Sequence, residues 1–232
     1  MLNYVEYGKE NKYDDDIFFQ KYSQMSRSQQ GLAGAGEWET LRKLLPDFKD
    51  KRVLDLGCGY GWHCIYAMEH GASSVVGVDI SHKMLEVAKE KTHFPQVEYK
   101  CCAIEDVEFP EESFDVILSS LAFHYVADYE ILVKKIYRIL KSGGKLVFTV
   151  EHPVFTAYGT QDWYYNEKGE ILHFPVDNYY YEGKRTAVFL GEKVTKFHRT
   201  LTTYLNTLLS NGFIINHIVE PQPPEYMMDI PG

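Results

Sequence analysis

The chain has 232 residues, 45% hydrophobic and 25% charged, with 18 Tyr, 13 Phe and 3 Trp, a composition that supports a packed globule and excludes disordered, coiled-coil and collagen-like architectures. Its 24 basic against 33 acidic residues leave a formal charge of −9, the wrong sign for a groove that tracks phosphates or for an anionic membrane surface. The four cysteines, Cys58, Cys64, Cys101 and Cys102, match no spaced metal framework, and no run approaches the roughly 18 apolar residues of a membrane span. Met1 to Asp16 contains no apolar signal-peptide core, so the expectation is a cytoplasmic chain with reduced thiols and no metal.

In chain order, Asp16 to about Gln30 reads as a helix, followed by the glycine-rich joint Gly31 to Gly36 and a second helix from Glu37 to Leu45 that Pro46 stops. From Arg52 to Val150 short apolar runs alternate with helical periods. Arg52–Leu56, Ser74–Val78, Val97–Cys102, Phe114–Ser119 and Lys145–Val150 read as strands. Helices lie between them: one from Tyr60 to Gly71, one from Lys83 to Lys91 with Ser81 as its cap, and one from Tyr129 to Leu140. This alternation predicts right-handed crossovers and an α/β fold: a doubly wound, mostly parallel sheet with helices on both faces. Between Pro153 and Thr200 the rhythm breaks, and eleven aromatics with β-like runs on either side of Glu182-Gly183-Lys184 predict a hairpin-bearing insertion. A helix from Leu201 to Ser210 and a strand from Phe213 to Ile218 then restore it.

The most informative stretch is Leu54-Asp55-Leu-Gly57-Cys58-Gly59-Tyr-Gly61, where the first strand turns into its helix and glycines let the backbone approach a ligand at a helix N-terminus. The glycine spacing is not the dinucleotide G-x-G-x-x-G, and no Walker lysine follows. Asp55 would repel a pyrophosphate but suits an ammonium or a sulfonium. Asp79 ends the second strand 22 residues beyond Gly57, close to the spacing at which a carboxylate accepts bonds from a ribose diol. Together the two acids bracket an adenosine-bearing cation.

These residues carry a resemblance. Val53 to Gly61 with Val78-Asp79-Ile-Ser81, then Asp106 to Ser119, Leu140 to Phe148 and the later Arg199 to Glu220, resemble in order the motifs of class I S-adenosylmethionine-dependent methyltransferases, in the type 11-like branch that acts mostly on small molecules. The resemblance implies that Gly57, Cys58 and Gly59 approach the methionyl part of S-adenosylmethionine through backbone atoms, with Asp55 by its amino end or bracing the loop. It implies that Asp79 binds the ribose and Ile80 packs on adenine, and that Ser119 and Leu121 line the sulfonium pocket. At the adenine amino group Ala103 stands where the family commonly has an acid, so either Glu105, next to Ile104, replaces the contact or backbone groups make it. Tyr22, Met25 and Arg27 lie on the leading helix, which in the family folds over the cofactor as a lid, or they simply pack.

Substrate-side candidates are histidines near carboxyl ends of strands, where α/β sheets bind ligands: His124 after the fourth strand, His152 after the fifth, and His198 beside Arg199. Each is a general base, a substrate anchor or a structural hydrogen-bonding residue. The expected organisation is one methyltransferase domain with a helical lid over 1–47, a cofactor-binding core over 48–152, a capping insertion over 153–200, a last helix and strand over 201–220, and a tail over 221–232. That tail, with three prolines from Pro221 to Pro224, cannot supply the family's seventh strand, so a natural chain continuing past Gly232 is expected. The function so read is methyl transfer from S-adenosylmethionine to a small molecule, releasing S-adenosylhomocysteine, by a monomer or homodimer. Its rivals are RNA or protein acceptors, a non-catalytic S-adenosylmethionine-binding protein, and an NAD-dependent oxidoreductase.

Overall fold

β-Branched runs flanked by glycine and amphipathic helices fold here as a sheet in which every neighbour is parallel. The computed structural model describes residues 9–222 and Glu225. Parts of the expected tail, and the first eight residues of the expected lid, lie outside them. In chain order the elements are α1 (Asp16–Ser23), α2 (Ser26–Gln30), α3 (Trp38–Leu44), β1 (Arg52–Leu56), α4 (Trp62–Glu69), β2 (Ser74–Asp79), α5 (His82–Lys91), β3 (Val97–Cys101), β4 (Phe114–Ser120), α6 (Tyr129–Ile139) and β5 (Leu140–Thr149). There follow α7 (Pro153–Ala157), the short pair β6 (Tyr164–Tyr165) and β7 (Ile171–His173), the longer pair β8 (Gly183–Phe189) and β9 (Glu192–His198), and α8 (Leu201–Ser210).

The central sheet has the order β3-β2-β1-β4-β5, so the chain runs outward from β1 in one direction, returns, and runs outward in the other. Between β1 and β4 the winding reverses, and the crevice outside their carboxyl ends is the binding position such sheets offer. Side chains alternate across the pleat. Leu54 and Leu56 of β1 join Ile117 of β4 and the α6 residues Leu132, Val133, Ile136 and Ile139 in one core. Val53 faces the other way with Val75, Val116 and Leu118, under Cys64 and Ala67 of α4 and Leu85 of α5. Both faces are therefore covered, as a parallel sheet requires. Among the described residues no helix is long and apolar enough to cross a membrane.

Three expectations change. The leading helix is two: Gln24 and Met25 interrupt it, and the Ser28 hydroxyl donates to the Tyr22 carbonyl across the break at 2.7 Å. The insertion does hold a hairpin, but its turn is at Leu190 and Gly191, both at positive φ, while Glu182-Gly183-Lys184 enters β8 and the three tyrosines before it form an exposed turn. Phe213 to Ile218 is extended but joins no sheet. Phe213 and Ile215 rest on the core while Ile214 is 85% exposed, so the strand-like alternation is real. What is missing is a ladder partner, because a groove of about 1420 Å³ lies between this segment and β5.

The α6 face sets the position of β4, whose end carries much of the site. Ile136→Ala, at a fully buried position, is expected to cost about 2–5 kcal/mol in urea denaturation. A loss below about 1 kcal/mol would mean that this face is not tightly packed.

Candidate functional site

The loop after β1 is held by backbone geometry that side chains would spoil. Gly57 has φ +76°, and a Cβ there would sit 2.5 Å from that of Ala122, while the Gly57 and Cys58 N–H groups both donate to the Val78 carbonyl at 2.8 and 2.9 Å. Gly59, at φ +52°, is different: a Cβ on it would meet nothing within 4 Å, because it faces a cavity. The Asp79 carboxylate ties the loop to the neighbouring strand. One oxygen accepts from the Gly59 N–H and the other from the Ser81 N–H, both at 2.9 Å. Burial pushes this carboxyl above the ordinary aspartate value despite the two donors.

The leading segment closes over this floor. Asp14 accepts from the Ser81 hydroxyl at 2.6 Å and from the Lys83 N–H at 3.2 Å, capping α5 from outside. Tyr13 meets Tyr22 edge-on at 5.2 Å and its hydroxyl reaches that of Tyr125 at 3.3 Å, and Tyr22 in turn lies 5.9 Å from Tyr60. The β8–β9 hairpin locks the lid. Phe18 is fully buried against Ala187 and Val194, and the Lys21 ammonium donates to the Leu190 carbonyl at 2.9 Å.

Enclosed between floor and lid is a cavity of about 280 Å³. Of the residues singled out from sequence, Gly57, Gly59, Asp79, Ile80, Ile104, Glu105, Leu121, Tyr22, Arg27 and His124 line it. Leu121 does so in a left-handed conformation, φ +53°, with its N–H bound to the Thr149 carbonyl at 3.0 Å. Asp55, Cys58 and Ser119 lie just behind the wall. Asp55 is buried, one carboxylate oxygen accepting from the Cys64 thiol at 3.5 Å and the other having no partner, and burial pushes its carboxyl up to about 7. Asp55 thus lies behind the loop, bonded to Cys64 of α4. The Ser119 hydroxyl donates to the Leu56 carbonyl at 2.7 Å, joining β4 to β1.

The histidines separate. His198 is fully buried in the hairpin, Nδ1 against the Thr156 hydroxyl and Nε2 against the Tyr179 carbonyl, each at 2.8 Å, so it holds the insertion together. His152 turns away from the cavity, caps α7 through Nδ1 and meets Glu220 through Nε2 at 2.6 Å. Both are corrections to the base readings, since their ring nitrogens are engaged elsewhere. His124 does reach the cavity, but its Nδ1 accepts the Glu151 N–H at 3.4 Å and burial lowers its pKa to about 4, so the ring is neutral with its proton on Nε2.

Sequence reasoning missed the residues beside it. Glu151 lines the cavity 3.9 Å from His124 Nε2, accepts from Lys196 at 2.5 Å, and accepts from Gln161 at 2.8 Å. Tyr13, Tyr125 and Phe189 complete that end. One signal was available: Glu151 closes the fifth strand as His152 does, and Lys196 alternates inward with Val194 and His198 along β9.

The residues fit an adenosine-bearing sulfonium. Glu10, Asp79, Glu105 and Glu151 face the cavity, whereas its two cationic residues are committed elsewhere, Lys9 to Asp106 and Arg27 to Glu37. The open face of Gly59 gives such a ligand room against the backbone, with Asp79 and Ile80 beside it. A doubly wound parallel sheet with this floor defines a Rossmann-like methyltransferase. Residues 54–148 match the family described as a methyltransferase domain. A solved protein of Listeria monocytogenes, itself assigned provisionally as an S-adenosylmethionine dependent methyltransferase, is 57% identical, covers 87% of this chain and 90% of its own, and superposes with a TM-score of 0.82. The S-adenosylmethionine dependent methyltransferase of Mesorhizobium loti is 40% identical over 85% of this chain and 90% of its own, with a TM-score of 0.78. The ubiquinone biosynthesis O-methyltransferase of Coxiella burnetii is 36% identical over 112 residues, 47% of either chain. The chain belongs to the S-adenosylmethionine-dependent methyltransferases, and S-adenosylmethionine is its methyl donor.

The buried Asp55 gives a pH signature. With its folded pKa near 7 and an unfolded value near 3.8, the folded state keeps a proton that the unfolded state has lost, so its contribution to stability falls as pH rises between about 4 and 7. The loss is on the order of 4 kcal/mol at most. Asp55→Asn is therefore expected to raise the unfolding midpoint of the ligand-free protein at pH 8 and to change it little at pH 4. Equal shifts at both pH values would contradict a protonated buried carboxyl.

Proposed function

We propose that this chain methylates a small-molecule acceptor, in line with the sulfonium, inside the closed cavity. The observation that carries this reading is that one chamber runs from the loop carrying Gly59 and Asp79 to the end formed by Tyr13, Tyr125, His124 and Glu151, roofed by the lid and the hairpin. An acceptor must fit beneath that roof, which favours a small molecule over a polynucleotide, as does the net charge of −9. The Coxiella burnetii relative, by its name a ubiquinone biosynthesis enzyme, supports the same class. We place the enzyme in the cytoplasm.

When bound, S-adenosylmethionine supplies a methyl group on a positively charged sulfur. The chain supplies position and environment. Asp79 and Ile80 would hold the nucleoside end and the 57–59 backbone the methionyl part, with Leu121 and Tyr22 on the same cavity wall. Aromatic walls exclude water, and alignment of two reactants in such a chamber contributes up to about 7–11 kcal/mol. Lys21, Asp14 and Phe18 hold the leading segment over the cavity.

Calorimetry is expected to give micromolar binding of S-adenosylmethionine, weakened at least about tenfold by Asp79→Ala, because loss of one charge-assisted carboxylate contact is worth at least about 1.4 kcal/mol. Unchanged affinity would remove Asp79 from the ribose. An S-adenosylhomocysteine release assay over small amines, phenols, thiols and acids is expected to find an acceptor. Turnover with tRNA or a polypeptide alone would overturn the small-molecule reading.

A further inference from the structure

The end of the cavity away from the glycine loop has a definite chemistry. Its one carboxylate fixed on both oxygens is Glu151, with Oε1 bound by the Lys196 ammonium at 2.5 Å and Oε2 by the Gln161 amide at 2.8 Å. Lys196 is itself 2% exposed and is bound a second time by the Gln161 carbonyl oxygen at 2.8 Å. Around this group stand the rings of Tyr13, Tyr125 and Phe189. Their faces already attract an ammonium, since Lys196 Nζ lies 6.0 Å from the Tyr125 centroid and 5.6 Å from that of Phe189.

His124, Tyr13 and Tyr125, the neutral groups described beside Glu151, are engaged and poor bases. His124 spends Nδ1 on the Glu151 N–H, and its Nε2 proton faces the Glu151 carboxylate. The Tyr13 and Tyr125 hydroxyls bond to each other at 3.3 Å, and burial pushes both well above the ordinary tyrosine value. Burial alone would raise Glu151, but the Lys196 ammonium and the bonds from Lys196 and Gln161 hold it below the usual glutamate value, which makes it a weak base and a persistent anion. A hydroxyl acceptor must lose its proton to a base in the pocket to be methylated at oxygen. An amine loses the proton of its ammonium form to water and then needs no base at the methyl-transfer step.

We infer that the methyl acceptor is a small amine on an apolar body, its nitrogen held by the Glu151 carboxylate within the ring of Tyr13, Tyr125 and Phe189. The uncharged nitrogen gives its lone pair to the methyl carbon, the carbon–sulfur bond breaks with its electron pair left on sulfur as S-adenosylhomocysteine, and the positive charge passes to the methylated nitrogen. That charge develops beside Glu151 and between aromatic faces, the arrangement that stabilises a cation as it forms. The ammonium form of the acceptor must first give up its proton, to solvent or to the Glu10 carboxylate that also lines the cavity, and the free amine then reacts. The charges around this end point the same way: Glu10 and Glu151 outnumber the Lys196 ammonium, and the lining cations Lys9 and Arg27 are paired with Asp106 and Glu37.

This inference rests on the small-molecule methyltransferase reading, and the test keeps the two apart. S-adenosylhomocysteine is first titrated into the protein by calorimetry, and failure to bind would count against the methyltransferase reading itself. With that ligand saturating, benzylamine, benzyl alcohol and benzoate are titrated in turn. Benzylamine is expected to bind at least tenfold more tightly than either of the others. Glu151→Gln is expected to weaken benzylamine at least tenfold with S-adenosylhomocysteine affinity within threefold of wild type, and Glu151→Asp to restore part of the loss. Equal binding of the three probes, no binding of benzylamine, or an affinity unmoved by Glu151→Gln would overturn the inference. The comparison of probes on the unaltered protein stands even where the variant does not fold.

Discussion

The site depends on one carboxylate shared between two backbone segments. Asp79 takes the N–H of Gly59 from the loop after β1 and the N–H of Ser81 at the start of α5. Neither segment is rigid by composition, since three glycines at positive φ lie between Leu56 and Trp62. The brace is possible only because β1 and β2 run parallel in register, Leu56 beside Val78, so that both carboxyl ends finish at the same level. The Ser81 hydroxyl also donates to Asp14 of the leading segment, and so the floor of the cavity and the segment over it meet at adjacent residues. Asp79 is thus a structural tie at the same position where we propose that it binds a ribose.

Electrostatics divide the chamber by neighbourhood. At the glycine loop a buried acid, Asp55, has no cation near it, and burial keeps it near neutrality, whereas Glu151 at the far end has Lys196 and stays ionised. The two carboxyl groups therefore differ: Asp55, 1% exposed, is held toward its neutral form, whereas Glu151, its side chain 21% exposed, stays ionised on Lys196.

Much of the sheet was legible because local pattern and tertiary role agree along it. Arg52–Leu56 and Leu201–Ser210 were bounded from sequence as the structure has them, and Ser81 was read as the cap it is. The cofactor end was legible for the same reason: its residues cluster in two short loops at strand ends. The acceptor end was not, because Tyr13, Tyr125, Glu151 and Phe189 come from four separate stretches and each looks ordinary in its own. Lys196 in a hairpin strand reads as a solvated charge until Glu151 and Gln161 are placed beside it. Histidine chemistry drew attention to His152 and His198, whose hydrogen bonds turn out to serve α7 and the hairpin. The hairpin turn was misplaced because Gly183 and Gly191 carry the same local signal, and only pairing decides which one bends. The last expected strand failed for a related reason: alternation put Phe213 and Ile215 on the core, but a strand also needs a neighbour, and β5 stands across a groove.

A structure with S-adenosylhomocysteine bound tests the account most directly. The account predicts ribose hydroxyls within hydrogen-bond distance of Asp79, adenine against Ile80, and the sulfur facing the space bounded by Tyr13, Tyr125 and Glu151. A ligand whose sulfur points away from Glu151, or one seated in the groove beside β5, would contradict it.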